Sequence, residues 1–481
     1  MPRLPFLPMR TRHFLALLGL LLVPRALAAQ QAAFDWPALR DEASRLLAEY
    51  LRINSTNPPG NELATARWLK DVLAREGIEG QILDTAELGP GRANFYARLR
   101  GTGGGRAIAL VHHMDVVPVT PAQWSRDAFG GEIVNGEVWG RGAIDMKGHG
   151  IIQLMARIAI KRAGLTLDRD LVYIANADEE TDGRGAIVFV ERHRDLLAGV
   201  EYLLTEGADT RVEGGQVRWF GIDVGEKRPL WTRMVAHGTT SHGSVPIGDQ
   251  NPVPVLARAV ARVAAWQTPL TLSPAVARFL KAQAAVETGP GRRWLADPAA
   301  ALRSPAGRAW LTSEAERNAL LRNTISPTVL VGSNKTNTIP QVATADLDIR
   351  LLPDQDPVAF LAELRRVIAD PRITLEEISP LPPRYSAPLG TELFQALEAT
   401  AAELLPGVPV ATPISPGASD RPSYAAAGIV AYGLDPYLIP IEENRYQVHG
   451  NDERISVENV GFGVRFYVSL LRRFAHAPVE P

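Results

Sequence analysis

The sequence of 481 residues contains no cysteine. This absence excludes disulfide bonds, even if the chain leaves the cytoplasm. Any metal ion that the protein binds must be held by nitrogen and oxygen atoms, because the chain has no thiolate to offer. Hydrophobic residues make up 46% of the sequence, which is enough for a full core and for more than one folding unit.

An excess of charge of either sign is also lacking. The 51 basic and 53 acidic residues give a formal net charge of -2. Proteins that bind nucleic acid or anionic membrane surfaces usually carry a basic region, and none stands out here. We therefore expect no nucleic-acid partner.

Long apolar runs are missing as well. The run at residues 14–23 is about half as long as the roughly 20 residues that a membrane-spanning helix needs, so we expect no permanent membrane anchor. Arg3, Arg10 and Arg12 precede this run, and small residues follow it up to Ala29. This layout predicts a signal peptide over residues 1–29 and a periplasmic or secreted protein.

The remaining chain predicts an α/β fold in two units. Helical stretches alternate with β-rich runs over residues 30–225, which favours a mostly parallel sheet with helices on both faces. A smaller α+β unit is predicted over residues 226–380. Residues 381–481 return to the pattern of residues 30–225 and are predicted to belong to the first unit. The Ala- and Arg-rich segment at about 271–323 has helical spacing and predicts a helical insertion in the second unit.

Polar side chains follow three β-rich runs of the first unit. The three runs and their polar residues are 108–111 before His113 and Asp115, 171–174 before Asp178, Glu179 and Glu180, and 202–204 before Glu206. A glycine-bearing loop at 140–144 leads into Asp145 at the start of a predicted helix. Ligands of open parallel sheets bind beyond the carboxyl ends of the strands, so we expect these side chains to meet.

The residue types in these clusters suit metal chemistry. His113 and Asp115 are two apart on an extended backbone, so a histidine ligand and a residue that orients it can point the same way. The carboxylates of residues 178–180 repel each other unless a cation or solvent relieves them. In a metal site, one would bind metal while its neighbour takes a proton from activated water. A solvated acidic turn is the alternative interpretation.

Five segments together carry a family resemblance. They are His-Met-Asp-Val-Val-Pro at 113–118, Gly-Arg-Gly-Ala-Ile-Asp-Met-Lys-Gly at 140–148, Asp-Glu-Glu-Thr at 178–181, Thr-Glu-Gly at 205–207 and a late His449. In this order they resemble the co-catalytic two-zinc metallopeptidase family of carboxypeptidase G, aminoacylase, succinyl-diaminopimelate desuccinylase and the carboxypeptidase S-like enzymes. The resemblance extends over nearly the whole chain after the signal peptide. It makes the first unit a catalytic domain and the second a lid or dimerisation domain.

The resemblance implies a dinuclear centre of two zinc ions, for which cobalt or manganese are substitutes. Asp145 would bridge the ions, with His113 and Glu206 completing one site and Glu180 and His449 the other. The sequence leaves open which terminal ligand belongs to which ion. The family also tends to have a cis peptide bond after the bridging aspartate.

Four further residues receive roles from the same resemblance. Glu179 would be the general base, and His242 of the second unit would stabilise the oxyanion of the tetrahedral intermediate. Asn337 and Arg350 match substrate-binding positions, and a guanidinium at 350 could clamp a free carboxylate through two parallel hydrogen bonds. Without the resemblance, His242 is an ordinary loop histidine, and Arg350 is equally a structural ion-pair residue.

The function implied is that of an exported zinc exopeptidase, carboxypeptidase-like, that cleaves an amide bond next to a free carboxylate of a small peptide or N-acyl amino acid. An N-acyl-amino-acid amidohydrolase or a dipeptidase would use the same metal centre. A non-catalytic binding homologue is disfavoured because Glu179 and all five ligands are present. A serine hydrolase is disfavoured because the sequence contains no Gly-x-Ser-x-Gly elbow. The sequence leaves open whether the second unit forms a homodimer or only closes over the site.

Overall fold

The computed structural model describes residues 34–165, 167–208, 210–443 and 448–475. The predicted signal peptide, residues 1–29, lies outside these ranges. Among the described helices, none is both long enough and apolar enough to cross a membrane.

Helices occur along the whole described chain. Their bounds are α1 Trp36–Leu51, α2 Glu62–Arg75, α3 Lys147–Arg162, α4 Arg184–Arg192, α5 Pro252–Ala265, α6 Pro274–Val286, α7 Arg292–Ala296, α8 Pro298–Arg303, α9 Pro305–Leu311, α10 Ala315–Leu320, α11 Pro357–Ile368, α12 Glu392–Leu404, α13 Arg421–Ala426 and α14 Val457–Ala475. Many begin with a proline in the first turn after an Asp, Asn or Ser that caps the helix, as in α1, α5 and α6.

The strands are shorter and fall into several sheets. Their bounds are β1 Gly80–Asp84, β2 Ala93–Leu99, β3 Ala107–His113, β4 Glu132–Val134, β5 Glu137–Trp139, β6 Asp170–Asn176, β7 Val200–Ala208, β8 Arg211–Glu213, β9 Gln216–Gly221, β10 Arg228–Pro229, β11 Thr232–His237, β12 Ser241–His242, β13 Thr324–Val331, β14 Thr338–Ile339, β15 Val342–Leu351, β16 Ile373–Glu377, β17 Val410–Ala411, β18 Val430–Leu434 and β19 Arg454–Ser456.

A six-stranded sheet forms the centre of the first unit, in the order β1-β2-β6-β3-β7-β18. Strands β6, β3, β7 and β18 run parallel, whereas β1 and β2 pair antiparallel at one edge. Strand β3 is buried along its whole length, which explains its nearly continuous apolar sequence. The mostly parallel sheet confirms the predicted fold class. Because β18 comes from the last part of the chain, two separated segments build this sheet.

Helices cover both faces of this sheet. One face carries a large apolar cluster that includes Leu47 of α1, Ile152 of α3 and Phe466 of α14. The opposite face packs Phe189 of α4 and Tyr424 of α13. These layers bury the strands and leave their ends open for polar residues.

Helix α3 approaches β3 closely because residue 150 is a glycine. A Cβ atom there would lie 2.3 Å from the ring of His112. That ring is fully buried, and its Nε2 lies 3.1 Å from the hydroxyl of Tyr50. His112 is therefore a packing residue of the strand, while the next residue, His113, reaches the strand end.

A second sheet of five strands lies in the second unit, in the order β10-β15-β11-β16 with β13 also paired to β15. All of these pairs are antiparallel. Burial alternates along β15, so one face of this sheet packs on an apolar cluster and the other does not. Helices α5 and α11 supply that cluster through residues such as Leu256 and Phe360.

The segment predicted as a helical insertion is helical, from α6 to α10. Hydrogen bonds close its base, since Thr268 Oγ1 donates to the carbonyl of Asn323 at 2.6 Å and Thr271 N donates to the carbonyl of Leu321 at 2.7 Å. Its apolar core includes Ala411 and Ile414 rather than residues of the second sheet. The insertion thus packs on the first unit, although it lies within the second unit in sequence.

Candidate dinuclear metal centre

Three neighbouring parallel strands deliver candidate ligands to one edge of the central sheet. Strand β3 ends at His113, β6 leads into residues 178–180, and β7 contains Glu206. Since β3 lies between β6 and β7, these side chains meet at the carboxyl ends of adjacent strands. The β-rich runs and the polar residues that follow them had predicted this convergence.

Asp145 lies between two imidazoles. Its Oδ1 is 3.1 Å from His113 Nε2, and its Oδ2 is 3.0 Å from His449 Nε2. His113 Nε2 also lies 3.6 Å from Glu206 Oε2, and His449 Nε2 lies 3.0 Å from Glu180 Oε2. The five residues thus form two sets of ligand atoms that share the Asp145 carboxylate. The peptide bond between Asp145 and Met146 is cis, which confirms that prediction.

The residues present fit a pair of metal ions. Ligand atoms held by one tetrahedral zinc at about 2.0 to 2.1 Å lie about 3.3 Å apart, close to the separations of 3.0 to 3.6 Å within each set. The second carboxylate oxygen of Glu180, Oε1, is buried and has no hydrogen-bond partner among the described residues. Three carboxylates and two imidazoles, with no thiol, suit zinc and the other divalent ions that prefer nitrogen and oxygen.

Asp115 contacts the His113 imidazole, as the sequence predicted, and also holds the turn at residues 179–180, which the sequence did not predict. His113 Nδ1 donates to the backbone carbonyl of Asp115 at 3.0 Å, while the carboxylate lies 3.7 Å away. The Asp115 carboxylate instead accepts hydrogen bonds from the backbone N–H groups of Glu179 and Glu180, each at 3.1 Å. One residue therefore fixes the tautomer of a candidate ligand and the position of the turn that carries the base.

A buried polar network supports that turn from behind. Asp178 has a left-handed backbone with φ of 67°, a conformation that aspartate tolerates better than most residues. Its carboxylate accepts hydrogen bonds from Asn57 at 3.0 Å and Arg92 at 2.7 Å. Arg92 also pairs with buried Glu62 at 2.6 Å. Neither Arg92 nor Glu62 lies in a recognisable motif, so sequence patterns carried no signal for this network.

Glu453 holds the loop that ends in Asp145, a role that no sequence pattern predicts. Its buried carboxylate accepts hydrogen bonds from the backbone N–H groups of Gly142 at 2.9 Å, Ile144 at 2.8 Å and Asp145 at 3.0 Å. Arg141 donates to the same carboxylate at 2.7 Å. Burial nevertheless raises the pKa of Glu453 above its usual value. These four donors fix the backbone of the proposed bridging ligand.

Glu179 lies beside one of the two ligand sets. It offers an oxygen within 4.8 Å of ligand atoms of His113 and Glu206. Burial, followed by the negative charge of Glu206, raises the pKa of Glu179 well above its usual value. A raised pKa is what a general base needs in order to keep the proton that it has taken.

These residues surround a cavity of about 330 Å³. Its lining includes Asp145, Glu179, Glu180, Glu206 and His449, together with Ser415, Ala418, Ser419 and Arg421 from a later segment. The guanidinium of Arg421 is buried in this wall but lies 3.2 Å from the carboxylates of both Asp223 and Glu226. Its charge is thus compensated within the protein. Beside it, burial raises the pKa of Asp420 to about 8.

The structure does not bring His242 and Asn337 to this cavity. His242 is exposed on β12, where its Nδ1 lies 2.7 Å from the hydroxyl of Ser244. Strand β12 pairs with β14, and the carbonyl of Asn337 accepts from the backbone N–H of Gly243 at 2.7 Å. The two residues are therefore neighbours in the second unit, away from the metal ligands of the same chain.

Arg350 also lies away from the metal ligands in the described chain. It is on β15, where its Nε donates to Asp348 Oδ1 at 2.7 Å and its guanidinium lies 5.8 Å from the ring centre of Trp231. This is the ion-pair arrangement that the strand pattern left open as an alternative.

Replacing Glu453 by Gln tests its role in holding the loop. We expect unfolding free energy to fall by about 3 to 5 kcal/mol, because buried Arg141 loses its charge partner. Metal affinity should fall by about 10- to 100-fold through the displaced Asp145. Chelator competition and chemical denaturation measure the two effects. The control is Glu458→Gln, which removes an exposed partner of Arg40. Metal affinity of Glu453→Gln within twofold of the control would contradict this role.

Comparisons with known proteins agree with this geometry. Residues 109–473 match the model of peptidase family M20/M25/M40. The chain is 26% identical over 368 residues to an N-fatty-acyl-amino acid synthase/hydrolase of Xenopus tropicalis, covering 76% of this chain and 71% of that protein. It is 25% identical over 451 residues to aminoacylase-1 of Sus scrofa, covering 91% of this chain and 96% of that protein.

A similar fold occurs among solved structures. An M20 family metallo-carboxypeptidase from Sulfolobus solfataricus superposes with a TM-score of 0.70 at 19% identity, covering 90% of this chain and 99% of that one. At this identity the likeness concerns the fold. The family model, in contrast, spans most of the chain and includes every candidate metal ligand. The chain therefore belongs to peptidase family M20/M25/M40 and is a hydrolase of the metallopeptidase and amidohydrolase type.

Proposed function

We propose that the chain is an exported, zinc-dependent exopeptidase of the carboxypeptidase type that cleaves an amide bond next to a free carboxylate. The observation that carries the proposal is the Asp145 carboxylate, shared between the His113 and Glu206 set and the Glu180 and His449 set, with Glu179 beside it. This arrangement supplies both metal ligands and a base, which are the two requirements for hydrolysis by activated water.

Export rests on the sequence of residues 1–29, with its basic start, short apolar run and small residues before the expected cleavage point. N-terminal sequencing of the protein recovered from its native cells tests this part. An intact leader on the mature protein would overturn it.

The residues of the chain have distinct tasks in the proposed reaction. Two bound metal ions would polarise the scissile carbonyl and acidify a water molecule. Glu179 takes the proton of that water on a carboxylate oxygen and returns it to the leaving amine. The Asp115 carboxylate accepts a hydrogen bond from the backbone N–H of Glu179 and so keeps Glu179 in place. The cavity of about 330 Å³ has room for the reacting amide and for groups attached to it.

In this proposal His242 comes from a second copy of the chain. It is exposed and separate from the metal cavity of its own chain. Strand β13 pairs on one side with β15 and exposes apolar side chains, with Leu330 64% and Val331 53% exposed. Edge strands of this kind are ready to pair with another chain. The proposed dimer forms through this unit, and in it His242 of one copy stabilises the oxyanion of the substrate bound to the other copy.

The free carboxylate of the substrate is assigned to Arg350, which presents a planar guanidinium suited to bidentate binding. Because Arg350 lies away from the metal ligands of its own chain, the proposal takes this group from the second copy, where the substrate carboxylate would compete with Asp348 for it.

An N-acyl-amino-acid amidohydrolase is the second candidate function. The names of the two relatives favour it, since one is an N-fatty-acyl-amino acid synthase/hydrolase and the other an aminoacylase. Such a substrate also has a carboxylate next to the amide, so the same metal centre and the same base would act. A dipeptidase differs only in the group on the acyl side.

Metal removal and the Glu179→Gln variant test the metal centre and the base. We expect two zinc ions per chain by elemental analysis, loss of activity with chelator, and recovery with zinc, cobalt or manganese. Glu179→Gln should retain both ions yet lose about 10²- to 10⁴-fold in kcat, because no carboxylate can move the proton. The control is Glu191→Gln, an exposed residue of α4. Activity that survives both chelation and Glu179→Gln would disprove the proposal.

The His242→Ala variant tests the contribution of a second copy. Removing an oxyanion donor should lower kcat by about 10²- to 10³-fold. Mixing this variant with Glu179→Gln should restore activity, because each mixed pair contains one site with both residues intact. Sedimentation should show a dimer. If the mixture stays inactive and the chain sediments as a monomer, the second copy does not supply the histidine.

Substrates with amidated C-termini test the role of Arg350. Loss of the charge should lower kcat/KM by at least about tenfold in the unmodified protein, because a site that binds a charged group rejects the uncharged analogue. The penalty should disappear in Arg350→Ala and persist in part in Arg350→Lys, which keeps the charge but not the planar fork. An equal penalty in Arg350→Ala would assign the carboxylate to another residue.

A further inference from the structure

A second, larger cavity adjoins the metal cavity. Its volume is about 660 Å³, within the range of roughly 300 to 1,000 Å³ that small-molecule sites usually have. Gly207 and Ser415 line both cavities, so the two are neighbours next to Glu206. A group attached to an amide in the metal cavity would enter the larger one past these two residues.

The floor of this second cavity is apolar. Trp219 of β9, Phe279 of α6, Leu295, Leu320 and Ile414 line it and belong to one hydrophobic cluster. The rings of Trp219 and Phe279 meet edge to face with centres 6.0 Å apart. One wall therefore comes from the helical insertion, and the other from the first unit.

Two ion pairs lie among the charged side chains that line this cavity, and Arg218, Asp223, Glu287 and Glu316 also line it. Arg211 forms an ion pair with Glu213, and Arg317 forms one with Glu314. The guanidinium of Arg317 also lies over the ring of Trp310, 4.2 Å from its centre. An apolar occupant would contact the apolar floor and leave these ion pairs intact.

The insertion is fixed to the unit that holds the metal ligands. Arg278 of α6 forms an ion pair with Glu398 of α12 and lies 5.2 Å from the ring centre of Phe394. Thr412 donates to the carbonyl of Ala275 at 3.4 Å. The apolar cluster of the insertion contains no residue of the second sheet. The cavity wall is thus anchored to the unit that holds the metal ligands.

We infer that residues 271–323 are a specificity element, which forms with β8 and β9 a subsite for an extended apolar group of the substrate. This inference rests on the proposed function, because it assumes that the scissile amide lies in the metal cavity. Two parts of a substrate have this chemistry, namely a long acyl chain on one side of the amide and a large apolar side chain on the released amino acid.

A substrate series tests the subsite and separates these two sources. In one arm, N-acyl glycines carry acyl chains from acetyl to decanoyl. In the other arm, N-acetyl amino acids carry side chains from glycine to phenylalanine. We expect kcat/KM to rise about fourfold for each methylene buried, until the cavity is filled, in one of the two arms. A flat response in both arms overturns the inference.

A cavity-filling variant ties the response to the insertion. Gln283 of α6 lines the cavity, whereas Lys281 of the same helix is exposed and does not. Gln283→Trp should lower the ratio of kcat/KM for the longest over the shortest substrate by at least about tenfold. Lys281→Trp should leave that ratio unchanged. Thr288→Trp, at an exposed position of the lining, serves if Gln283→Trp does not fold. Equal ratios in the cavity-filling and control variants overturn the inference.

A binding measurement separates failure of this inference from failure of the proposed function. N-decylglycine has no amide bond and cannot be hydrolysed, so its binding to chelator-treated protein can be followed by calorimetry. We expect tighter binding than for N-ethylglycine, and loss of the difference in Gln283→Trp. If no substrate is hydrolysed but this difference is present, the proposed function fails and the subsite stands. If hydrolysis is normal but the difference is absent, the subsite fails alone.

Discussion

Mutual repulsion among carboxylates is the constraint on which the rest of the structure depends. Four carboxylates converge at the carboxyl ends of the parallel strands, namely those of Asp145, Glu179, Glu180 and Glu206. Among the described residues, the basic groups that lie between them are the imidazoles of His113 and His449. Such a cluster is costly unless cations bind between the oxygens. The surrounding backbone must therefore hold these groups in place before any ion arrives. Glu453, Asp115 and Arg92 each do so by fixing a loop or turn.

The parts that could be predicted from the sequence are those with local patterns. Apolar runs ending in His113, Glu180 and Glu206 predicted strands, and the geometry of parallel sheets then predicted that their ends meet. A glycine-bearing loop before a predicted helix indicated Asp145, whereas His449 follows no local pattern and only the family resemblance pointed to it. The structure brings all five together.

The parts that could not be predicted depend on contacts between distant segments. Glu453 binds a loop more than 300 positions earlier in the chain, and nothing in its neighbourhood marks it. The exposed position of His242 and the half-buried ion pair of Arg350 depend on how the second unit packs, which strand patterns do not determine. The insertion was predicted as helical, but its packing against Ala411 and Ile414 follows from shape rather than from periodicity.

The position of Glu453 and His449 near the end of the chain has a consequence for the order of assembly during synthesis. His113, Asp145, Glu180 and Glu206 emerge from the ribosome long before these two residues. Until then, the second ligand set lacks its imidazole, and the loop before Asp145 lacks the carboxylate that fixes it. A nascent chain therefore cannot form the complete centre. Capture of both ions is therefore delayed until residues 449–453 have been synthesised and have packed against the earlier segments.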